Sequence, residues 1–164
     1  MKMRMQQAIL VLFVLIIGSC SKDSIEDTVT IDSENVILIE NEVLTLVNNY
    51  RNTKNYNSLY FSAVAYKYAN IHTDYMIAKG TINHDNFTSR ASGVASEINV
   101  SEVAENVAKN YSTALQAFDN WMKSTDHRKA IEGDFSHTAV SVKTDKDGNY
   151  YYTQLFFKEV ESPK

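Results

Sequence analysis

The chain has 164 residues, of which 44% are hydrophobic and 22% charged, with a formal net charge of −4 and a single cysteine. This length fits one globular domain, and one cysteine excludes an intramolecular disulfide. The acidic balance argues against a general nucleic-acid-binding protein, and one Pro and five Gly exclude collagen-like and low-complexity classes.

The N-terminal segment predicts a secretory signal. Lys2 and Arg4 precede an unbroken apolar run at 8–17, and two small residues follow that run. A basic start, a short apolar run and small residues form the pattern of a cleaved signal peptide. The run is too short to span a hydrocarbon core of about 30 Å. Residues 1–19 are therefore interpreted as a signal peptide.

Cys20 comes directly after the small residues, and segment 17–20 resembles a bacterial lipobox. The resemblance implies that Cys20 becomes the first mature residue and carries diacylglycerol on its sulfur. One acyl chain binds membranes only marginally, whereas two anchor a protein stably. The alternative is a cleaved signal that leaves a free or buried cysteine. We expect an extracytoplasmic protein, lipid-anchored to a bacterial outer membrane or to the cell surface.

Residues 20–37 hold the lipidated cysteine and a polar, acidic stretch without helical periodicity, which predicts a tether. Its early acidic residues resemble signals that send some bacterial lipoproteins to the outer surface. A generic solvated linker is the alternative. A folded domain is predicted over 38–158, followed by a C-terminal tail at 159–164.

The predicted domain begins with helices. Apolar periodicity predicts helices at 36–51, 62–79 and 112–123 and one further helical turn at 126–131. Ser62 is the expected N-cap of the second helix, and Gly80 is its expected end. The Asn-, Ser- and Gly-rich segment 81–102 is interpreted as mostly loop.

The C-terminal part changes to the alternation of strands. Runs at 138–143 and 150–158 flank a turn rich in Asp, Gly and Asn, which predicts a β-hairpin. A lone hairpin is marginal in water, so helices should cover its faces. The expected fold class is α+β, an antiparallel sheet flanked by helices.

Six separated motifs occur in an order that resembles one family. They are LVNNYR at 46–51, AxxHxDxM at 69–76 with His84-Asp85 after it, AENVA at 104–108, WMKSTDHR at 121–128, FSHT at 135–138 and GxYYxTQxF at 148–156. Their order and spacing resemble the CAP superfamily (cysteine-rich secretory proteins, antigen 5 and plant pathogenesis-related proteins) in its short bacterial form. The resemblance covers roughly residues 38–157 and implies a three-layer α-β-α sandwich.

The resemblance also implies a central cleft with two His and two Glu, in which some members bind zinc or another divalent ion. By motif, His84 and His127 match the two histidines and Glu105 matches the first glutamate. Ser124 stands where the second glutamate is expected. Imidazole and carboxylate donors suit Zn²⁺, although the HExxH arrangement is absent. The alternative is that Glu105 and a neighbouring histidine join loops through hydrogen bonds.

Other cleft candidates have two interpretations each. His72 lies on the apolar face of its helix. It is expected to be either a buried histidine with one hydrogen bond or a metal ligand. Ser124 with His127 could form a nucleophile and base, but Ser124 also fits an N-cap. Arg128 could bind an anionic ligand or pair with a nearby acid. The acids within its reach are Asp126, Glu132 and Asp134.

Three functions follow from these residues. The favoured one is an envelope-anchored binding module for a small lipid- or sterol-like ligand, a metal ion or a protein partner. We expect it to be a monomer and to bind no nucleic acid. The alternative is a peptidase-like hydrolase that uses His127 and Glu105 as base and orienting residue or as metal ligands. A purely adhesive or structural lipoprotein is the third. No cofactor is certain, and a divalent metal such as zinc is the candidate.

Overall fold

The computed structural model describes residues 34–160. The predicted signal peptide, Cys20, most of the tether and most of the tail lie outside the described residues, so lipidation stays a prediction. Within 34–160, no helix is long and apolar enough to cross a membrane. The elements are α1 (Ile37–Thr53), β1 (Tyr60–Phe61), α2 (Ala63–Lys79), α3 (Phe87–Glu97), β2 (Val100–Lys109), α4 (Ala114–Lys123), α5 (Thr125–Glu132), β3 (His137–Thr144) and β4 (Tyr150–Glu159).

The long predicted helices and the hairpin are confirmed. The Ser62 hydroxyl accepts the Ala65 N–H at 3.2 Å and caps α2, which ends at Gly80 in the left-handed conformation at φ 69°. A glycine adopts this conformation without the steric penalty that a Cβ brings. Periodicity located these helices because each buries residues at helical spacing, as Val43 and Val47 of α1 do.

The interpretation of 81–102 as mostly loop is wrong. The segment contains α3 and the start of β2. The buried residues of α3 are Arg90 and Val94, so its inner face carries a charge where an apolar residue is expected. The middle of β2 likewise places Glu105 among inward-facing positions. Both elements therefore lack the apolar period on which sequence-based prediction depends.

The sheet is open, with strand order β1-β3-β4-β2. β1 runs parallel to β3, and the other two pairs are antiparallel. Helices α1, α4 and α5 lie on one face, around a core that includes Val43, Trp121 and Phe156. Helices α2 and α3 lie on the other face, where Ala69 and Val94 pack with the sheet. The three-layer α-β-α sandwich is thereby confirmed.

Arg51 joins the end of α1 to the end of α5. Its side chain is buried, and Nε donates to the Asn57 carbonyl at 2.7 Å. Nη1 donates to the carbonyls of Ile131 at 2.7 Å and Gly133 at 2.9 Å. Buried carbonyls need such donors, because an unpaired one costs about 1–3 kcal/mol. One guanidinium thus holds α5, and with it the candidate site residue His127, against α1.

Candidate functional site

Glu105 is the centre of the candidate site. It lies in β2 opposite Leu155 of β4, and its side chain is 1% exposed. Arg90 of α3 approaches the carboxylate with two bonds, Nε to Oε2 at 2.8 Å and Nη2 to Oε1 at 2.7 Å. His84 donates from Nδ1 to Oε1 at 2.8 Å. A buried carboxylate is tolerated in this way, by a bidentate charged partner and further hydrogen bonds.

These contacts keep Glu105 ionised. Burial on its own raises the pKa of a carboxyl group, because it disfavours the charged form. For Glu105 the hydrogen bonds from His84 and Arg90 and the charge of Arg90 outweigh burial, so its pKa lies below the usual value. The carboxylate therefore carries a full negative charge at neutral pH, balanced by the guanidinium beside it.

His84 is oriented by this carboxylate. An ionised carboxylate only accepts hydrogen bonds, so Nδ1 of His84 carries the proton in the bond to Glu105. In the neutral ring, Nε2 then holds an unshared electron pair. The side chain is 50% exposed. The pair resembles the carboxylate–histidine arrangement in which one ring nitrogen is held and the other is left to accept a proton or bind a ligand.

His72 lies behind this pair as a neutral, buried ring. It is 1% exposed, and its Nε2 donates to the Asn83 carbonyl at 2.8 Å. Burial lowers the pKa of His72 more than the nearby Glu105 carboxylate raises it. Within the described part of the chain, its buried Nδ1 has no hydrogen-bond partner. His72 is therefore a buried ring with one hydrogen-bonded nitrogen, as the first sequence-based alternative describes, and its second nitrogen has no hydrogen bond in that part of the chain.

His127 approaches the site from the opposite face of the sheet. It lies in the first half of α5, and its backbone carbonyl accepts from Nδ2 of Asn106 at 3.0 Å. Burial first, and then the nearby His84, lower the pKa of His127, so the ring is neutral. Its buried Nδ1 lacks a partner among residues 34–160. The His84 ring and the His127 backbone carbonyl thus contact consecutive residues of β2, Glu105 and Asn106.

Ser124 and Arg128 take part in the site less than predicted. Ser124 occupies the N-cap position of α5, but its side chain makes no capping hydrogen bond. In the described region, no hydrogen bond joins it to Nδ1 of His127. Of the two alternatives for Arg128, pairing with a nearby acid is not observed among residues 34–160, where its Nη1 donates to the Met122 carbonyl at 3.1 Å. The three acids have other partners, Lys129 for Asp126, Tyr50 for Glu132 and Lys158 for Asp134.

The predicted donor set does not form a site for a divalent metal. Among residues 34–160, no three His, Cys, Asp or Glu side chains are grouped so that they could hold a metal ion. Both oxygens of Glu105 are engaged by Arg90 and His84, so the predicted set of His84, Glu105 and His127 does not fit a three-ligand zinc site in this arrangement. Zinc binding stays a prediction.

A pocket of about 230 Å³ lies between α2 and α3, beside the Glu105 network. Its walls are Tyr68, Ile71, His72, Tyr75, Asn86, Ser89 and Arg90. His72 and Arg90 belong to both the pocket and the network. Sequence reasoning missed Arg90 because its segment was interpreted as loop. A helix prediction at 87–97 would have revealed it, since Arg90 and Val94 are four residues apart and share one face.

Comparisons with known proteins point to one family. The model of the "Cysteine-rich secretory protein family" (CAP) matches residues 44–156. An outer surface protein of Borrelia burgdorferi superposes with a TM-score of 0.70 at 16% identity, covering 78% of this chain and 98% of that one. An extracellular SCP-domain protein of Bacillus anthracis gives 0.65 at 22% identity, covering 75% of this chain and 41% of that one.

A third solved structure is a cysteine-rich secretory protein of Staphylococcus aureus, with a TM-score of 0.63 at 16% identity. The superposition covers 75% of this chain and 39% of that one. The present chain therefore spans about two fifths of the Bacillus and Staphylococcus chains. No curated protein matches the sequence.

Proposed function

Since this chain belongs to the cysteine-rich secretory protein (CAP) family, we propose that it is an extracytoplasmic lipoprotein whose domain binds a small ligand beside Glu105. The signal-like N-terminus and the lipobox around Cys20 support anchoring at the envelope. Two structural neighbours, an outer surface protein and an extracellular protein, support a location outside the cytoplasm.

The pocket between α2 and α3 carries this proposal. It is open to solvent, mostly apolar in lining, and bounded at its inner side by two buried polar residues, His72 and Arg90. Apolar walls with a few fixed polar groups are typical of small-molecule sites. The buried Nδ1 of His72 can only accept in the neutral ring protonated at Nε2, so a ligand hydroxyl or amide would satisfy it.

The volume limits the ligand. A cavity of about 150 Å³ holds one benzene ring, whereas the pockets that bind drug-sized ligands measure about 300–1,000 Å³. At about 230 Å³ the pocket fits one substituted ring or a short acyl segment. The proposed ligand is therefore a small apolar molecule with one hydrogen-bond donor, such as a phenol or a short-chain alcohol, and is smaller than a sterol.

The test is titration calorimetry with a panel of phenol, indole, short-chain alcohols and short-chain fatty acids. Ile71→Trp fills the pocket mouth, and Leu38→Trp is the matched control, because Leu38 is an exposed apolar helix residue outside the pocket. We expect binding of a donor-bearing ligand that Ile71→Trp weakens at least about tenfold and Leu38→Trp leaves unchanged. The proposal fails if no panel member binds or if both variants behave alike.

A second function is favoured by one contact. Glu105 holds Nδ1 of His84, which leaves Nε2 able to act as a general base, as in hydrolases that pair a carboxylate with a histidine. Among residues 34–160, no hydroxyl or thiol group is hydrogen-bonded to His84, so the proposed reaction is base-assisted attack by water. Replacing both His84 and His127 by Ala should then abolish hydrolysis of peptide and ester substrates while the unfolding curve is retained. Unchanged turnover in the double variant excludes the hydrolase.

A further inference from the structure

The outer side of β2 offers unpaired backbone groups. β2 is an edge strand, and alternate residues of an edge strand point their N–H and C=O outward. Trp121 donates from Nε1 to the Val107 carbonyl at 3.0 Å, which identifies Val107 as outward-facing. Val103 and Glu105 lie four and two residues before it, so their backbone groups point outward as well.

The hydrogen bonds of the neighbouring strand β4 show independently that the backbone groups of Val103 face outward. The Phe157 carbonyl accepts the Ser136 N–H at 3.0 Å, so Phe157 directs its backbone toward the β3 side of β4. Phe157 is the register partner of Val103. The pair is therefore of the type that exchanges no hydrogen bonds, and Val103 faces away from β4. Throughout residues 34–160, no hydrogen bond reaches the outward backbone groups of Val103 or Glu105.

This part of the edge is accessible. The Glu105 side chain is 1% exposed, yet the residue as a whole is partly exposed, so the exposed atoms belong to its main chain. Both ends of the strand are protected. A register shift between Val100 and Glu102 interrupts one end, and Trp121 covers the Val107 carbonyl at the other. Edge strands are usually blunted by such devices, and here the stretch between them is left open.

A groove runs beside this open stretch. We call it the edge groove and define it by its lining, which is Thr88, Ala91, Ser92 and Ala95 of α3 with Val100, Ser101, Glu102 and Val103 of β2. Its volume is about 300 Å³. The small side chains of α3 leave room for a chain at the strand spacing of about 4.7–4.9 Å. Of these lining residues, Glu102 alone is charged, and its charge is negative.

We propose that β2 binds an extended peptide segment of a partner protein by strand addition. The peptide pairs with the outward N–H and C=O groups of Val103 and Glu105, and its side chains on one face enter the edge groove. Main-chain hydrogen bonds supply the affinity in this mode of recognition, and pockets for alternate side chains supply the selectivity. Glu102 favours a peptide that is neutral or basic at this place. The site is separate from the pocket between α2 and α3.

The first test uses the free protein. Amide hydrogen exchange followed by NMR should show fast exchange at Val103 and Glu105, whose N–H groups face outward. Exchange should be slow at Ala104 and Asn106, which face β4. Protection of all four amides would mean that the edge is already covered, and it would overturn the proposal.

The second test screens a display library of short unstructured peptides against the domain. Val103→Pro removes one outward N–H without removing a sheet bond, which an edge strand tolerates. Ala95→Trp fills the edge groove. Ser96→Trp is the matched control, since Ser96 is exposed on the same helix outside the groove. Each blocking variant should weaken binding about tenfold, and the control should not, while all three keep the wild-type unfolding curve.

The outcomes separate the possible occupants. Selected peptides should be neutral or basic, and N-methylation at alternate positions should abolish their binding, because only every second amide faces β2. The proposal is wrong if the library yields no binder or if the binders tolerate Val103→Pro and Ala95→Trp. It is also wrong if sedimentation shows a dimer that Val103→Pro dissociates, since the edge then pairs with a second copy of the chain.

Discussion

Removal of the Arg90 guanidinium should destabilise the fold more than any ordinary surface change. In Arg90→Met, the Glu105 carboxylate, 1% exposed, loses two bonds of 2.7 and 2.8 Å and keeps only His84 among its close hydrogen-bond partners. Breaking a buried ion pair by removing one partner costs about 3–5 kcal/mol, because a charge is left buried without compensation. We expect a loss of this size in the free energy of unfolding at about pH 7.

Urea denaturation followed by the fluorescence of Trp121, the sole and fully buried tryptophan, measures this loss. Arg128→Met is the matched control, because the same substitution there removes a single hydrogen bond to a carbonyl at 3.1 Å. We expect the control to lose about 0.5–1.5 kcal/mol. Equal losses in the two arginine variants would refute the argument that the Arg90–Glu105 pair is electrostatically critical.

Two further measurements separate charge from packing. Adding Glu105→Gln to Arg90→Met removes the buried charge, so the double variant should be more stable than the sum of the two single losses predicts. In Arg90→Met alone, burial opposes ionisation of Glu105 with less compensation, so its pKa rises. The stability gap to the wild type should then narrow as the pH falls from about 7 to about 5. A gap that is independent of pH would indicate a packing effect.

The remaining predictions concern pH, packing and the anchor. Burial lowers the pKa of His72 and His127 below their ordinary value of 6.5, so the unfolded chain binds more protons below that pH. The free energy of unfolding should therefore fall as the pH drops through 6.5, and urea titrations of His72→Gln should show a shallower fall. Arg51→Met leaves three carbonyls without their donor and should cost about 3 kcal/mol or more in the same assay. Cys20→Ser should abolish labelling by a palmitate analogue and release the protein from membranes in a bacterial host, whereas retained labelling would exclude Cys20 as the acylation point.

The parts of the fold that were predictable are those that bury apolar residues at a regular spacing. Helices α1, α2 and α4 and the β3–β4 hairpin have this property, and Ser62 and Gly80 mark the ends of α2 by their chemistry. In contrast, α3 and β2 face each other through Arg90 and Glu105. In a single sequence, a charged residue is interpreted as exposed. Because Arg90 and Glu105 are a buried ion pair, the helix and the strand that carry them do not show the expected apolar pattern.

The candidate site was predictable only in part. His84 and Glu105 came from the family resemblance, and the structure brings them into contact. The residue that neutralises Glu105 and the pocket behind His72 were not predictable, because both depend on the packing of α3 against α2. The alternative in which Arg128 pairs with a nearby acid does not occur in the described residues, because closeness in sequence does not select among several exposed partners.

Glu105 and Asn106 are consecutive residues of β2 that hold the two halves of the site, one on each face of the sheet. One peptide unit therefore sets the spacing between the His84 and His127 halves, whatever the lengths of the loops around them. Insertions in those loops should be tolerated during evolution or in engineering. A deletion of one residue within β2 upstream of Glu105 should not be tolerated. It would turn the Glu105 and Asn106 side chains to the opposite faces of the sheet, so the contacts with His84 and His127 would be lost together.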